Sequence, residues 1–212
     1  PLYSSAASDV YKRQQDILHL YRKAGILFIY IGVEATDNKR LEEFKKETSF
    51  EDSKKALKLI RDEGMIVESS LILGTPDESQ ESIEQTLAWA MEYDADFMHF
   101  LFLAPWPYSD IYECLKPYIE VSDYSKYNLV EPVIKPVYMT RDELMKAVLN
   151  CYKHYYMRKL PEWAAMKGND LKKTCLIRGM KAIVENSFLK EHMKDLGKMP
   201  ERLIKLLGKL NS

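Results

Sequence analysis

Along the chain the apolar positions alternate between strand-length runs and helical spacing. Ile26–Val33 is apolar on both faces and rich in β-branched residues, the pattern of a strand buried between helices. Ile66–Leu73 and Phe97–Leu103 are further runs of that length. The three runs end in Gly32-Val33-Glu34-Ala35, Gly74-Thr75-Pro76-Asp77 and Ala104-Pro105-Trp106-Pro107, each a break in the pattern. Helical spacing fills the intervals. Asp16–Ala24 places Ile17, Leu20 and Tyr21 on one face, with Gly25 as a stop signal. Thr36–Lys46 is a short helix with Leu41 and Phe44 three apart, and Phe50–Asp62 packs Ala56, Leu57 and Ile60 behind a Ser49/Asp52 capping box. Glu78–Tyr93 keeps Ile83, Leu87 and Ala90 in the 3.6-residue period. Helix-bearing connections of roughly 30–40 residues are the length of βαβ units, so the strands read as one parallel sheet.

Beyond the third strand the pattern changes. Ile111–Leu115 is a short helix and Tyr118–Pro136 is irregular. From Thr140, where Thr140 and Glu143 form another capping box, a helix runs to about Lys159 with Leu144, Val148, Cys151, Tyr152 and Tyr155 inward. Leu171–Phe188 and Pro200–Leu210 are two more amphipathic helices. Met166, Met180, Met193 and Met199 read as packing filler. A closed eight-unit barrel needs about 250 residues. The fold class expected is therefore α/β: the C-terminal half of a partial (β/α) barrel of parallel strands, followed by an α-helical tail. Residues 15–115 form the partial barrel and 116–212 the irregular segment and helical extension. Residues 1–14 lack any periodicity and read as a disordered leader or as translated sequencing-adapter read-through.

Composition narrows the setting. No apolar run approaches the roughly 20 residues that cross a bilayer. The net charge of −1 points to neither nucleic acid nor membrane, although residues 158–212 carry 13 Lys/Arg against 6 Asp/Glu. That basic tail reads as the solvated side of amphipathic helices. Cys114, Cys151 and Cys175 are odd in number and widely spaced, which indicates a reduced, cytoplasmic chain and argues against a zinc or iron–sulfur site built by these residues alone.

Candidate chemistry gathers at the strand ends. Glu34 follows a strand directly and must either cap the next segment or bind something at the mouth of the sheet. Glu68, Ser69 and Ser70 inside the second strand require a face that is incompletely covered or that points into a site. Trp106 and Tyr108, set between prolines, project rigid aromatic surface, as a core plug or as the wall of a cofactor or substrate site.

These segments in this order, Gly32–Ala35, Leu71–Ser79 and Phe102–Ser109, resemble the last three strands of the radical S-adenosylmethionine core. Within it they are similar to the cobalamin-dependent branch typified by the anaerobic magnesium-protoporphyrin IX monomethyl ester oxidative cyclases. Asp123–Tyr127 with Pro132 and Pro136, and the Thr140 helix ending in Tyr155-Tyr156-Met157-Arg158, resemble the tail of those enzymes. The likeness spans about residues 15–160.

The resemblance implies that Glu34 contacts S-adenosylmethionine, that Ile72 and Gly74 lie near adenine, and that Pro105 and Pro107 shape the loop over the site. It also implies Trp106 and Tyr108 as a substrate wall. Ser70 stands where the family has a glycine, and Tyr108-Ser109 replace its Gly-Thr. The C-x3-C-x2-C loop that binds the four-iron four-sulfur cluster has no counterpart in this sequence. The resemblance thus implies a C-terminal fragment, inactive alone, of an enzyme using S-adenosylmethionine, the cluster and an upstream cobalamin. It acts on a small molecule, a tetrapyrrole by resemblance, and no nucleic acid is expected. Two other readings stay open: a fragment of an RNA-modifying methylthiotransferase, for which a β-rich C-terminal domain would be expected, and a non-catalytic interaction module.

Overall fold

The structure, a computed structural model, describes residues 14–186, 188–190 and 192. Its helices and strands run in the order α1 (Gln14–Lys23), β1 (Phe28–Glu34), α2 (Asn38–Glu43), α3 (Phe50–Asp62), β2 (Ile66–Leu73), α4 (Gln80–Tyr93), β3 (Phe97–Phe102), α5 (Tyr112–Leu115), α6 (Arg141–Ala165) and α7 (Asp170–Asn186). The three strands form one parallel sheet in the order β1-β2-β3, the sequential order of βα units in a barrel wall. The α/β class with a helical tail is as the pattern predicts. The expected Pro200–Leu210 helix, the 1–13 leader, and Met193 and Met199 lie outside the described residues.

Local signals set the helix ends. Ser49 and Asp52 exchange hydrogen bonds at the start of α3, and Thr140 and Glu143 do so at α6. Helix α4 starts two residues later than the pattern suggests. Ser79 is its N-cap and boxes with Ser82, while the Glu78 carboxylate turns back to accept from the Gly74 N–H at 2.9 Å.

Two expectations about faces are corrected. Helix α1 buries Leu18 and leaves Leu20 and Tyr21 exposed, because the face turned toward α3 is the one carrying Leu18. Strand β1 is not buried on both faces: Phe28 and Tyr30 are 47% and 55% exposed, while Ile31 and Val33 are buried. Helices α3, α4 and α6 cover one face of the sheet; the other is open along β1, with α7 packed on it over Phe97.

The core lies between the sheet and α3, α4 and α6, with Ile31, Val33, Leu71, Leu73, Met98, Phe100 and Phe102 from the strands. Leu57, Ile60, Ile83, Val148 and Tyr152 face them from the helices. A second, smaller cluster, Leu103, Ala104, Leu115, Tyr127, Val133 and Ile134, packs the segment after β3 against Ile72 and Trp106.

Helix α6 also closes the outer edge of β3. In a parallel strand, alternate residues turn both N–H and C=O away from the paired neighbour. At Phe100 the Tyr152 hydroxyl accepts from the N–H at 3.0 Å and donates to the carbonyl at 3.2 Å. Tyr156 does the same at Met98, at 3.2 and 3.0 Å. The Phe102 N–H reaches the Leu129 carbonyl at 2.8 Å. The helix runs beyond Lys159, through Pro161 to Ala165, because buried Leu160 and Trp163 hold the last turns on Phe97 and Tyr156 despite the lost N–H.

Buried charge pins the N-terminal ends of the strands. Lys172 of α7 pairs with Asp96 at 2.9 Å and donates to the Met65 carbonyl at 2.6 Å, and Asp96 also accepts from the Val67 N–H at 3.0 Å. Arg61, Arg158 and Lys159 converge on Asp94, itself in a left-handed conformation. Above them Gly179 lets α7 approach Phe97 so closely that a Cβ would lie 2.8 Å from the ring.

Two outcomes follow for stability. Tyr152→Phe or Tyr156→Phe strands a buried N–H and C=O, and chemical denaturation should show a loss of about 1–3 kcal/mol for each. Burial pushes Lys159 down to about 8, with Arg61 and Arg158 adding to the shift and Glu162 and Asp96 opposing it. From there up to its ordinary 10.5 the unfolded chain holds more protons on this group than the folded chain. Stability should therefore rise with pH through that window. Denaturation midpoints measured at either end of the window should show the rise, and Lys159→Met should abolish it.

Candidate functional site

Register fixes what the open face carries. Tyr30 lies opposite Glu68 and Gly32 opposite Ser70; Ser70 in turn faces His99, and Ile72 faces Leu101. Side chains alternate across a strand, so these residues share the face away from α3, α4 and α6. Ser69 points the other way and is fully buried, its hydroxyl satisfied by the Ile31 carbonyl at 2.7 Å. The three polar residues of β2 thus divide: Ser69 is satisfied inside the core, while Glu68 and Ser70 lie on the other face, Ser70 buried with its hydroxyl accepting from Tyr30.

At the C-terminal end of β1 the ladder slips between Gly32 and Glu34. Glu34 sits at φ 64°, a left-handed conformation that is uncommon for a residue with a side chain. The irregularity re-aims the carboxylate. It folds back over Gly32, where any Cβ would collide with it, and meets Lys46 Nζ at 3.2 Å. Asp37, not Glu34, caps α2, by accepting from the Arg40 N–H. Of the two roles open to Glu34, capping is therefore taken by another residue.

Polar groups continue down the open face. Tyr30 donates to Ser70 Oγ at 2.7 Å, and burial raises its phenol pKa, with the carboxylates of Glu34 and Glu68 adding to the effect against the Ser70 bond. Glu68 and His99 Nε2 are hydrogen-bonded across β2 and β3. Neither Tyr30 nor His99 stands out in the sequence. The available signal was a lone histidine in the apolar strand FMHFLF and a count by two from Glu68 and Ser70.

The remaining expected positions gather at the same edge, since all three strands run parallel. Gly74 has φ 87°, and a Cβ there would lie 3.0 Å from Leu144 of α6. Its glycine is thus required by the turn and by helix packing. Ile72 is half-buried and packs against the second cluster; it also lines a cleft of about 230 Å³ with Thr36, Arg40, Glu78 and Trp89. Burial raises the Glu78 pKa, against the bonds from Ser82 and Gly74 and the charge of Arg40. Pro105 is buried. Trp106 packs on the second cluster and stacks on Tyr108, centroids 6.3 Å apart and planes within 6°, and Tyr108 is 83% exposed. Trp106 is thus partly a core plug, and its stacking partner Tyr108 stands in solvent.

A parallel βα sheet with polar residues at its C-terminal strand ends has the arrangement of part of a (β/α) barrel wall. Residues 4–90 match the Radical SAM superfamily. It is 34% identical over 174 residues to an anaerobic magnesium-protoporphyrin IX monomethyl ester cyclase of Cereibacter sphaeroides, covering 82% of this chain and 28% of that protein. To the cyclase of the same name from Rubrivivax gelatinosus it is 33% identical over 188 residues, covering 88% and 34%. Among solved structures, the radical S-adenosylmethionine methyltransferase TsrM from Kitasatospora setae, with cobalamin and a 4Fe-4S cluster bound, superposes with a TM-score of 0.44 at 19% identity, over 63% of this chain and 28% of that one. The chain thus spans about a third or less of the cyclases it matches.

The superfamily matched by residues 4–90 implies S-adenosylmethionine and a four-iron four-sulfur cluster. The described residues do not fit the cluster. Cys114 is exposed and bonded to the Ile111 carbonyl, Cys175 is half-buried, and burial pushes the Cys151 thiol up to about 12, far from a ligating thiolate. Among the described residues, no group of three His, Cys, Asp or Glu side chains could hold a metal ion. Nor is any described helix long and apolar enough to cross a membrane.

The two glycines separate packing from site. Gly74→Ala should cost more than about 1 kcal/mol in denaturation, from the positive φ and the contact with Leu144. Gly32→Ala should displace the Glu34 carboxylate, read as a loss of the Lys46 pairing in a crystal structure of the variant.

Proposed function

We propose that this chain is the C-terminal, substrate-facing part of a cobalamin-dependent radical S-adenosylmethionine enzyme that acts on a magnesium tetrapyrrole in a reduced, cytoplasmic setting. The observation that carries the reading is Glu34: a carboxylate held in a left-handed conformation, folded over Gly32, at the mouth of a sheet whose open face is polar. Such a conformation costs free energy and persists where the surroundings over-determine it, commonly at ligand sites. Glu34 holds a polar group of S-adenosylmethionine, with Ile72 and Gly74 beside the adenine and Pro105 shaping the loop above. Trp106 and Tyr108 offer a flat wall suited to a macrocycle.

The likeness to the two cyclases supports the tetrapyrrole, since their names specify magnesium-protoporphyrin IX monomethyl ester. Because the described cysteines do not fit the cluster, its ligands come from outside the described residues, and these residues alone are catalytically inert. What they contribute is binding, orientation and exclusion of water, while the cofactors carry the chemistry.

Isothermal titration of the chain with S-adenosylmethionine tests the reading. Binding is expected for the parent, and Glu34→Gln should weaken it roughly tenfold or more, the worth of one hydrogen bond to a charged group. Equal affinity in parent and variant would remove Glu34 from the site.

A further inference from the structure

Strand β3 is apolar along its length except at His99, which lies mid-strand on the open face with its side chain 26% exposed. A partly exposed side-chain hydrogen bond adds little to stability, so the fold gives no strong reason for an imidazole there. Its partner is specific. Nε2 meets the Glu68 carboxylate of the neighbouring strand. A carboxylate oxygen accepts, so Nε2 is the nitrogen that donates to Glu68, and Nδ1 is the one left to meet another partner. Among the described residues, no hydrogen bond to Nδ1 is found. A carboxylate that orients an imidazole through one nitrogen and leaves the other as a donor is the usual support of a metal-ligating histidine.

The surroundings suit a flat, metallated ligand. Phe28 and Tyr30 share the open face and are the large exposed aromatics of β1, and Ile72 and Leu101 are half-buried on it. Glu34 and Glu68 both bear on Tyr30 from this face, a negative field that favours a cation. One donor nitrogen cannot hold a free ion. It suffices as a fifth ligand for a metal whose other four positions are already occupied by a macrocycle.

We propose that His99, oriented by Glu68, is the axial ligand to the central metal of the tetrapyrrole. This rests on the substrate reading above and goes beyond it by assigning the contact.

The test uses the 212-residue chain with two probes, magnesium protoporphyrin IX monomethyl ester and its metal-free counterpart, followed by absorbance. The parent should bind the metallated probe roughly tenfold tighter than the metal-free one, with a displaced Soret band. His99→Gln should lose the displacement and bind both probes alike. In His99→Gly, added imidazole should restore the band position, a rescue that a merely structural role would not give, and circular dichroism confirms that each variant is folded. If His99→Gln keeps both the displacement and the preference, ligation by His99 is overturned while tetrapyrrole binding stands. The same holds if the parent binds both probes equally with no displacement. If the parent binds neither probe, the tetrapyrrole reading falls and the ligand assignment falls with it.

Discussion

The outer edge of β3 decides what the rest of the structure can be. A strand at the edge of a sheet presents a row of unpaired N–H and C=O groups and would ordinarily recruit another strand. Here Tyr152 and Tyr156, one helical turn apart on α6, each satisfy both backbone groups of one residue, and the Leu129 carbonyl takes the Phe102 N–H. The rise between residues four apart on a helix is about 6 Å, close to the spacing of alternate residues along a strand. Two phenols on consecutive turns can therefore follow one strand edge. The sheet ends at β3 for this reason, and β3 presents no row of unpaired groups to a fourth strand on that side.

With that edge closed and three helices on one face, polar residues of the strands have two destinations. Inside the core each must be matched, as Ser69 is by the Ile31 carbonyl. On the other face they pair with one another, as Tyr30 with Ser70 and Glu68 with His99. The slip at Gly32 and Glu34 adds a carboxylate to the same face, at the end where strand-end loops supply groups for chemistry in barrel folds.

Much of this architecture was legible in the sequence because it rests on local rules. The Ser49 and Thr140 boxes, the Gly25, Gly64 and Gly74 turns and the three strands each follow from residues within a few positions of one another. What was not legible depends on distant partners. The exposed face of β1 could not be told from its composition, since Phe28 and Tyr30 are as apolar as Ile31 and Val33, and only the placement of the helices decides which pair is covered. The Thr140 helix is expected to end at about Lys159, yet Leu160 and Trp163 find the core and carry α6 onward through Pro161. Glu34 was legible as a candidate by its place after a strand. Its neighbours Tyr30 and His99 were not, because register between strands some 30 to 70 residues apart brings them together.

Paired charge and strand-end irregularity then occupy opposite ends of the same strands. At the N-terminal ends, Asp96 is locked between Lys172 and the Val67 N–H, and Asp94 gathers Arg61, Arg158 and Lys159. A buried ion pair is not a generous source of stability, because desolvation offsets much of the attraction, but removing one member leaves a charge that the interior cannot accept. These pairs therefore act as constraints: they fix α6 and α7 in one position on the strands. That position sets the Tyr152 and Tyr156 hydroxyls on β3 and seats Gly179 against Phe97. The C-terminal ends have no comparable buried pairs among the described residues; there Glu34 bears a strained backbone angle and Tyr108 stands in solvent. Rigid anchoring below is what allows an unfavourable conformation to be held above, and the carboxylate, imidazole and phenol of the open face keep their geometry without being buried to obtain it.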